Sequence, residues 1–254
     1  MTLLYLKLIV TPLLMWAISL ASRRWGGLLG GLLSGMPITS ALVMTFLCLE
    51  QGSTFAVAAV PGALGGLVAV QATYCCFMWS IRRAALVPAV LLALLAYGLV
   101  AYAFTHWGNL HLSVAVALVL IGVLICASGR EPSPDMLARP KHRYWEIPLR
   151  MVAATSLLML TTSLADWLGP ATSGMLAPIP VIAWPLVVFA YVQNGRPGMA
   201  VMVRGNAIGA VGVIAFYLVL AALLQAWGAA AAIGAAIASA VVLTLGLAAA
   251  LRRR

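Results

Sequence analysis

The chain contains very few charged residues. Only 8% of its 254 residues are Asp, Glu, Lys or Arg, and only five are acids, whereas an ordinary soluble domain carries about 25% charged residues. A chain with so little charge cannot cover a globular surface that faces water. The shortage therefore excludes a conventional soluble domain as the main part of this protein.

Recognisable catalytic motifs are also missing. The chain has no GxSxG, HExxH or Walker sequence and no paired acidic motif, which are patterns that mark common hydrolases, metalloproteases and nucleotide-binding enzymes. Its four cysteines fall inside apolar runs without metal-ligand spacing. The sequence predicts neither a metal site nor a cofactor, and it weakens the case for an enzyme without removing it.

Long apolar runs take the place of the missing polar residues. Hydrophobic residues make up 64% of the chain, and runs of about 20 such residues recur, which is the length of a helix that crosses a bilayer. The runs are continuous rather than alternating, so they predict helices and not the strands of a barrel. We expect an all-α integral membrane protein with about nine transmembrane helices, near residues 3–21, 25–49, 55–81, 84–104, 110–128, 147–164, 173–192, 198–224 and 229–251.

The few basic residues indicate how the chain is oriented. With nine spans, twelve of the 15 Lys and Arg residues fall in short segments on one side of the membrane, and none falls in a loop on the other side. Basic residues in short loops stay in the cytoplasm, so we expect the N-terminus outside and the C-terminus inside. The net charge of +10 does not indicate nucleic-acid binding, because the basic residues form short clusters and not one polar face.

The two halves of the chain resemble each other at a fixed offset. A shift of 143 residues places several glycines and prolines on one another, among them Gly52 on Gly195, Gly66 on Gly209 and Pro37 on Pro180. Because the shift passes five predicted helices, an odd number, we expect the second copy to be inverted relative to the first. The sequence thus predicts two inverted-topology four-helix repeats, 1–109 and 147–254, joined by a fifth span and a cytoplasmic loop at 110–146.

Segments rich in glycine and proline mark the predicted binding site, at residues 26–37 and at the equivalent residues 169–180. Both residue types weaken or break a helix, and a broken helix in each copy is typical of a transporter's substrate site. Close helix packing through small residues is the alternative explanation. The predicted substrate-binding residues are Pro37, Thr39, Ser40, Pro178, Pro180, Arg204 and Asn206.

Ionisable side chains inside the predicted spans supply the other candidates. Arg204 can pair with an anionic substrate or extend to the membrane surface. Glu50, near the outer face, can be a proton-coupling site or an interfacial residue solvated by headgroups. A further hypothesis joins Glu50 to His106, His111 and Asp166 in an external cation or proton site, although the spacing of the histidines is a weak metal signal.

Two stretches of the chain carry a resemblance. SGMPITSALVMTFLCLEQG occupies residues 34–52, and EIPLRM at 146–151 is followed by SGMLAPIPVIAWPLVVFAYVQNG at 173–195. These stretches resemble segments of small, uncharacterised bacterial multi-span inner-membrane proteins with duplicated SG-M/L-x-P type segments. The resemblance implies a bacterial inner (plasma) membrane location and a duplicated origin, and it implies no activity.

Three functions agree with these features. The first is a small secondary transporter or exporter of a polar or anionic small molecule, with its site between the inverted repeats. The second is a membrane-embedded enzyme or lipid-handling protein that acts at the outer face, and the third is a non-catalytic membrane subunit of a complex. The lipid bilayer is the expected partner, a small-molecule substrate and a second copy of the chain are compatible with the sequence, and nucleic acid is not.

Overall fold

In the computed structural model, the described residues 2–129, 146–179 and 183–252 form α-helices joined by short turns. The helices are α1 (Thr2–Gly35), α2 (Ile38–Gln51), α3 (Ser53–Ser80), α4 (Leu86–Trp107), α5 (Leu110–Ala127), α6 (Glu146–Ser163), α7 (Ala165–Leu176) and α8 (Ala183–Arg252). Two non-helical glycines, Gly195 and Gly228, interrupt α8. They divide it into a first segment (183–194), a middle segment (196–227) and a last segment (229–252).

Four of the described helices are long and apolar enough to cross a membrane, namely α3, α4, α5 and α8. Most side chains of α4 and α5 are exposed even though they are apolar: Leu91, Leu95 and Leu99 on α4 are 57–62% exposed. A continuous apolar surface of this kind does not persist in water. The structure therefore confirms the predicted all-helical membrane protein at this level.

Several predicted helices correspond to helices of the structure. The predicted ranges 55–81, 84–104, 110–128 and 147–164 match α3 to α6, and 198–224 and 229–251 match the middle and last segments of α8. Glycine makes the very short turns between α2 and α3 and within α8. Gly195 has a φ of 62°, and its offset partner Gly52 has a φ of 88° between α2 and α3; both values lie in the left-handed region that favours glycine.

Two predicted helices are wrong as continuous elements. The predicted helix 25–49 is interrupted, since α1 ends at Gly35 and α2 begins at Ile38. Pro37 lies in this break, where its missing N–H and its ring oppose a continuous helix. The predicted helix 173–192 is likewise divided between α7, which ends at Leu176, and α8, which begins at Ala183. The loop expected at residues 22–24 is not a helix end, because α1 is helical on both sides of it.

Although α1 is helical throughout its length, it is not straight. Met15 of α1 packs against Ala154 of α6, and Ile38 packs against this same cluster. In a straight helix Gly35 would lie about 30 Å beyond Met15, too far for Ile38 to return. The helix must therefore bend between Met15 and Gly35.

The centre of the fold is α3. It packs against α2, α4, α5, α7 and α8, and all of its residues from 62 to 71 are buried. The middle segment of α8 is also largely buried, from residue 205 to 210 and from 212 to 217. These two buried helices are equivalent under the offset of 143 residues, and each contacts a helix that ends at a break.

Candidate functional site

Two pairs of helices cross closely, one pair at Gly66 and the other at Gly209. Gly66 of α3 lies against α7, where a Cβ on Gly66 would be 3.0 Å from the carbonyl carbon of Met175 and closer still to its oxygen. Gly209 of α8 lies against α1, where a Cβ would be 2.8 Å from the carbonyl oxygen of Leu32. Only glycine allows helix backbones to approach this closely.

The two crossings are related by the sequence offset. Adding 143 to Gly66 gives Gly209, and adding 143 to Leu32 gives Met175. The helix α3, in the first half, therefore crosses the C-terminal end of α7 in the second half. The middle segment of α8, in the second half, crosses the C-terminal end of α1 in the first half. Both contacts lie just before a helix break.

A small cavity lies beside the break between α1 and α2. Its volume is about 30 Å³, which is enough for one or two water molecules. The wall contains four polar side chains, Thr39, Ser40, Gln71 and Asn206, and Pro178 contributes an apolar part from the second half. The cavity is thus formed by both halves of the chain.

Most of the predicted substrate-binding residues meet at this cavity. Thr39, Ser40, Pro178 and Asn206 line it, and the buried Pro37 lies in the adjoining break. Pro180 lies outside the described residues. Arg204 is not part of the wall.

Arg204 instead holds the end of a neighbouring helix. Its Nη1 donates to the carbonyl oxygens of Ile125 at 2.9 Å and Gly129 at 2.7 Å, at the C-terminus of α5. The last carbonyls of a helix lack intrahelical partners and carry partial negative charge, so a guanidinium stabilises them. The geometry gives Arg204 a structural role at the C-terminus of α5.

Gln71 is the cavity residue that sequence reasoning missed. Its side chain is 0% exposed, and neither amide atom has a hydrogen-bond partner among the described residues. The offset provides no signal, because the equivalent residue is Ile214. The available signal is the amide itself, since a polar side chain inside a glycine-rich apolar run is costly to bury unless it has a hydrogen-bond partner.

Glu50 forms a partly buried ion pair with Lys7. The Nζ of Lys7 donates to Oε2 of Glu50 at 2.6 Å and to the hydroxyl oxygen of Thr162 at 2.6 Å, and it lies 5.5 Å from the ring centroid of Phe46. The Lys7 side chain is 4% exposed and the Glu50 side chain 22% exposed. Charge-assisted bonds of this kind are strong, so α1, α2 and α6 are joined at this point.

The residues considered for an external cation site do not come together. Glu50 is paired with Lys7, His106 stacks on the ring of Tyr102 with centroids 4.3 Å apart, and Asp166 is exposed. Within the described part of the chain, no group of three His, Cys, Asp or Glu side chains could hold a metal ion.

Basic residues and the ion pair occupy opposite ends of α3. The Arg196 side chain reaches the carbonyl oxygen of Arg82 at 3.5 Å, just after the C-terminus of α3. Glu50 lies just before its N-terminus, and a helix of 28 residues is about 42 Å long. This is longer than the thickness of a bilayer core, which is about 30 Å.

No family model, curated protein or solved structure matches this chain.

Proposed function

We propose that this protein is a small secondary transporter of the bacterial inner membrane, built from two inverted repeats, with its substrate site at the cavity beside the α1–α2 break. The observation that carries the proposal is the position of that cavity. It combines polar side chains from both halves with the end of a broken helix, and transporters with inverted repeats place their sites in such positions.

The inverted repeat is supported by three pairs of equivalent features. The glycine crossings at Gly66 and Gly209 are equivalent, and so are the left-handed turns at Gly52 and Gly195. The break after Gly35 is equivalent to the break that follows Leu176. The proposal counts nine passes, in which the second part of α1 forms one pass with α2, and α7 forms one pass with the first segment of α8. The first part of α1, α3, α4, α5, α6 and the other two segments of α8 make one pass each, so that α5 lies between the repeats.

The orientation is supported by the positions of the arginines. Arg82 and Arg196 meet at one end of α3, and basic residues in short connections are retained in the cytoplasm. The Lys7–Glu50 pair then lies near the outer face. In this orientation the N-terminus is outside and the C-terminus is inside.

Proton coupling acts through Glu50 in the proposed mechanism. A proton on Glu50 removes the negative charge that holds Lys7, and this weakens the link between α1, α2 and α6. The halves can then rock against each other about the glycine crossings and expose the cavity to one side and then to the other. Return of the proton to water restores the pair.

The transport test uses purified protein in proteoliposomes that contain a pH-sensitive dye. Small organic acids and neutral polar metabolites are added in turn, and the proton flux is recorded. We expect at least one compound to drive a flux in the wild type, and we expect Glu50→Gln to abolish it. The exposed acid Asp166 provides a matched control, and Asp166→Asn should retain the flux. No flux with any compound, or equal flux in Glu50→Gln, contradicts the proposal.

The topology has a separate test. In a chain whose four cysteines are replaced by serine, single cysteines at the exposed positions Arg83 and Asn109 are labelled with a membrane-impermeant maleimide in intact cells. We expect labelling of Asn109→Cys and protection of Arg83→Cys until the membrane is opened. Labelling of both from the same side would overturn the nine-pass arrangement.

A further inference from the structure

The N-terminus of α2 ends at the cavity. The amide of Ala41 donates to the carbonyl oxygen of Pro37 at 2.7 Å, but the amides of Thr39 and Ser40 have no acceptor among the described residues. Pro37, the residue before the helix, provides no side-chain cap. Free amides of this kind normally face water, but a helix that begins inside a membrane protein has little water to use. The positive end of this 14-residue helix is therefore available to a ligand.

Gln71 provides an independent sign of a ligand at the same place. It lies on the cavity wall, its side chain is 0% exposed, and both amide atoms lack partners among the described residues. Its NH₂ group can donate to an acceptor held at the α2 N-terminus. Ser40 and Asn206, which are 2% and 4% exposed, bring two more hydrogen-bonding side chains to the wall.

The charges around the cavity favour a negative ligand. The wall contains no acidic side chain that could balance a bound cation. Glu50, the acid on α2, is already neutralised by Lys7. The helix N-terminus adds partial positive charge, and in a low-dielectric interior this contribution is weakly screened.

We propose that the cavity binds a small oxyanion group, with a carboxylate as the chemical class, through the amides of Thr39 and Ser40 and the side chain of Gln71. This inference rests on the proposed transport site and names the class of substrate that it takes. The cavity of about 30 Å³ suits a headgroup of a few atoms. The remainder of a larger substrate would occupy the space that forms when the halves separate.

Acetate and acetamide form a suitable pair of probes because they have nearly the same shape but differ in charge. Purified protein in detergent is titrated with each at constant ionic strength, and the Tm is measured. Acetate should raise the Tm in a concentration-dependent manner by mass action, whereas acetamide should not. Equilibrium dialysis with radiolabelled acetate gives the Kd independently of unfolding.

Gln71→Met removes the amide while it keeps the length of the side chain. We expect acetate to bind about tenfold to a hundredfold more weakly in this variant, since a hydrogen bond to a charged group is lost. Gln51→Met makes the same chemical change at the far end of α2 and should retain wild-type binding. The Tm without acetate shows that each variant is folded.

The outcomes separate this inference from the transport proposal. No binding of acetate by the wild type, equal binding of acetamide, or full binding by Gln71→Met would overturn the carboxylate site, and proton flux driven by a neutral compound would still support transport. Acetate binding that Gln71→Met weakens supports the site. If the proteoliposomes then show no flux, the transport proposal fails and the binding site stands.

Discussion

Replacement of Gly66 or Gly209 by alanine tests the two helix crossings on which the proposed site depends. A Cβ on Gly209 would lie 2.8 Å from the carbonyl oxygen of Leu32 and 2.7 Å from the carbonyl carbon of Gly35, whereas ordinary contacts begin at 3.4 Å. The clashing atoms are backbone and cannot rotate away. The helices must separate by more than about half an ångström, and overpacking of this kind costs about 1–3 kcal/mol.

Alanine also has a higher helix propensity than glycine, and this offsets part of the loss of unfolding free energy. In a helix interior, alanine is better than glycine by about 0.8–1.0 kcal/mol. Because backbone clashes belong at the upper end of the overpacking range, we expect each variant to lose about 2 kcal/mol of unfolding free energy. A Cβ added to Gly98 or Gly246 would meet no atom within 4 Å, so Gly98→Ala and Gly246→Ala should be stabilised by up to about 1 kcal/mol.

The assay is denaturant titration of the detergent-solubilised protein, followed by tryptophan fluorescence, with the slope checked for each variant. The result depends on whether the unfolding free energy of Gly66→Ala and Gly209→Ala falls below that of the two control variants. If Gly66→Ala and Gly209→Ala are as stable as the controls, the close crossings are wrong. If only one of the two is destabilised, the crossings are not equivalent and the inverted repeat loses its main support.

Two further predictions concern the cations Lys7 and Arg204. Lys7→Met should lower the unfolding free energy by about 1–2 kcal/mol, less than for a fully buried pair, because Glu50 is partly exposed. Glu50→Gln in the same background should recover most of this loss, and a double-mutant cycle that shows simple additivity would refute the pairing. Arg204→Leu should lower the unfolding free energy by about 1–3 kcal/mol, because the carbonyls of Ile125 and Gly129 lose their donor. Hydrogen exchange at the end of α5 should become faster, and unchanged exchange there would refute the capping role.

Local sequence features are sufficient to predict most of the fold. Continuous apolar runs identify the positions of α3 to α6 because a bilayer leaves the backbone no alternative to a helix. Glycine and proline identify the two broken regions, since their backbone restrictions act locally. Glycine and proline do not determine the residue at which each helix breaks. The break at Pro37 also depends on the helix crossing at Gly209, which is a tertiary contact.

The residues that the sequence misassigns are those whose partners are distant in the chain. Lys7 and Thr162 are 155 positions apart, and Arg204 and Gly129 are 75 apart, so no local pattern shows that these cations are already engaged. Thr39 and Ser40 are predictable because they follow the glycine-rich segment directly. Gln71 is harder to predict because its amide carries no charge and lies in an apolar run that is distant from either break in the sequence.

The helix α2 connects the two parts of the proposed mechanism. Its N-terminus lines the cavity, and its C-terminal end carries Glu50, so a rigid element of 14 residues and about 20 Å joins the ligand to the ion pair. The helix break before Ile38 and the left-handed Gly52 lie at its two ends, where a small change in backbone angles can turn the whole helix. Release of Lys7 from a protonated Glu50 would therefore reorient the amides of Thr39 and Ser40 without any change in the cavity wall contributed by α3. For this reason Glu50→Gln, which imitates the protonated acid permanently, is expected to abolish proton flux.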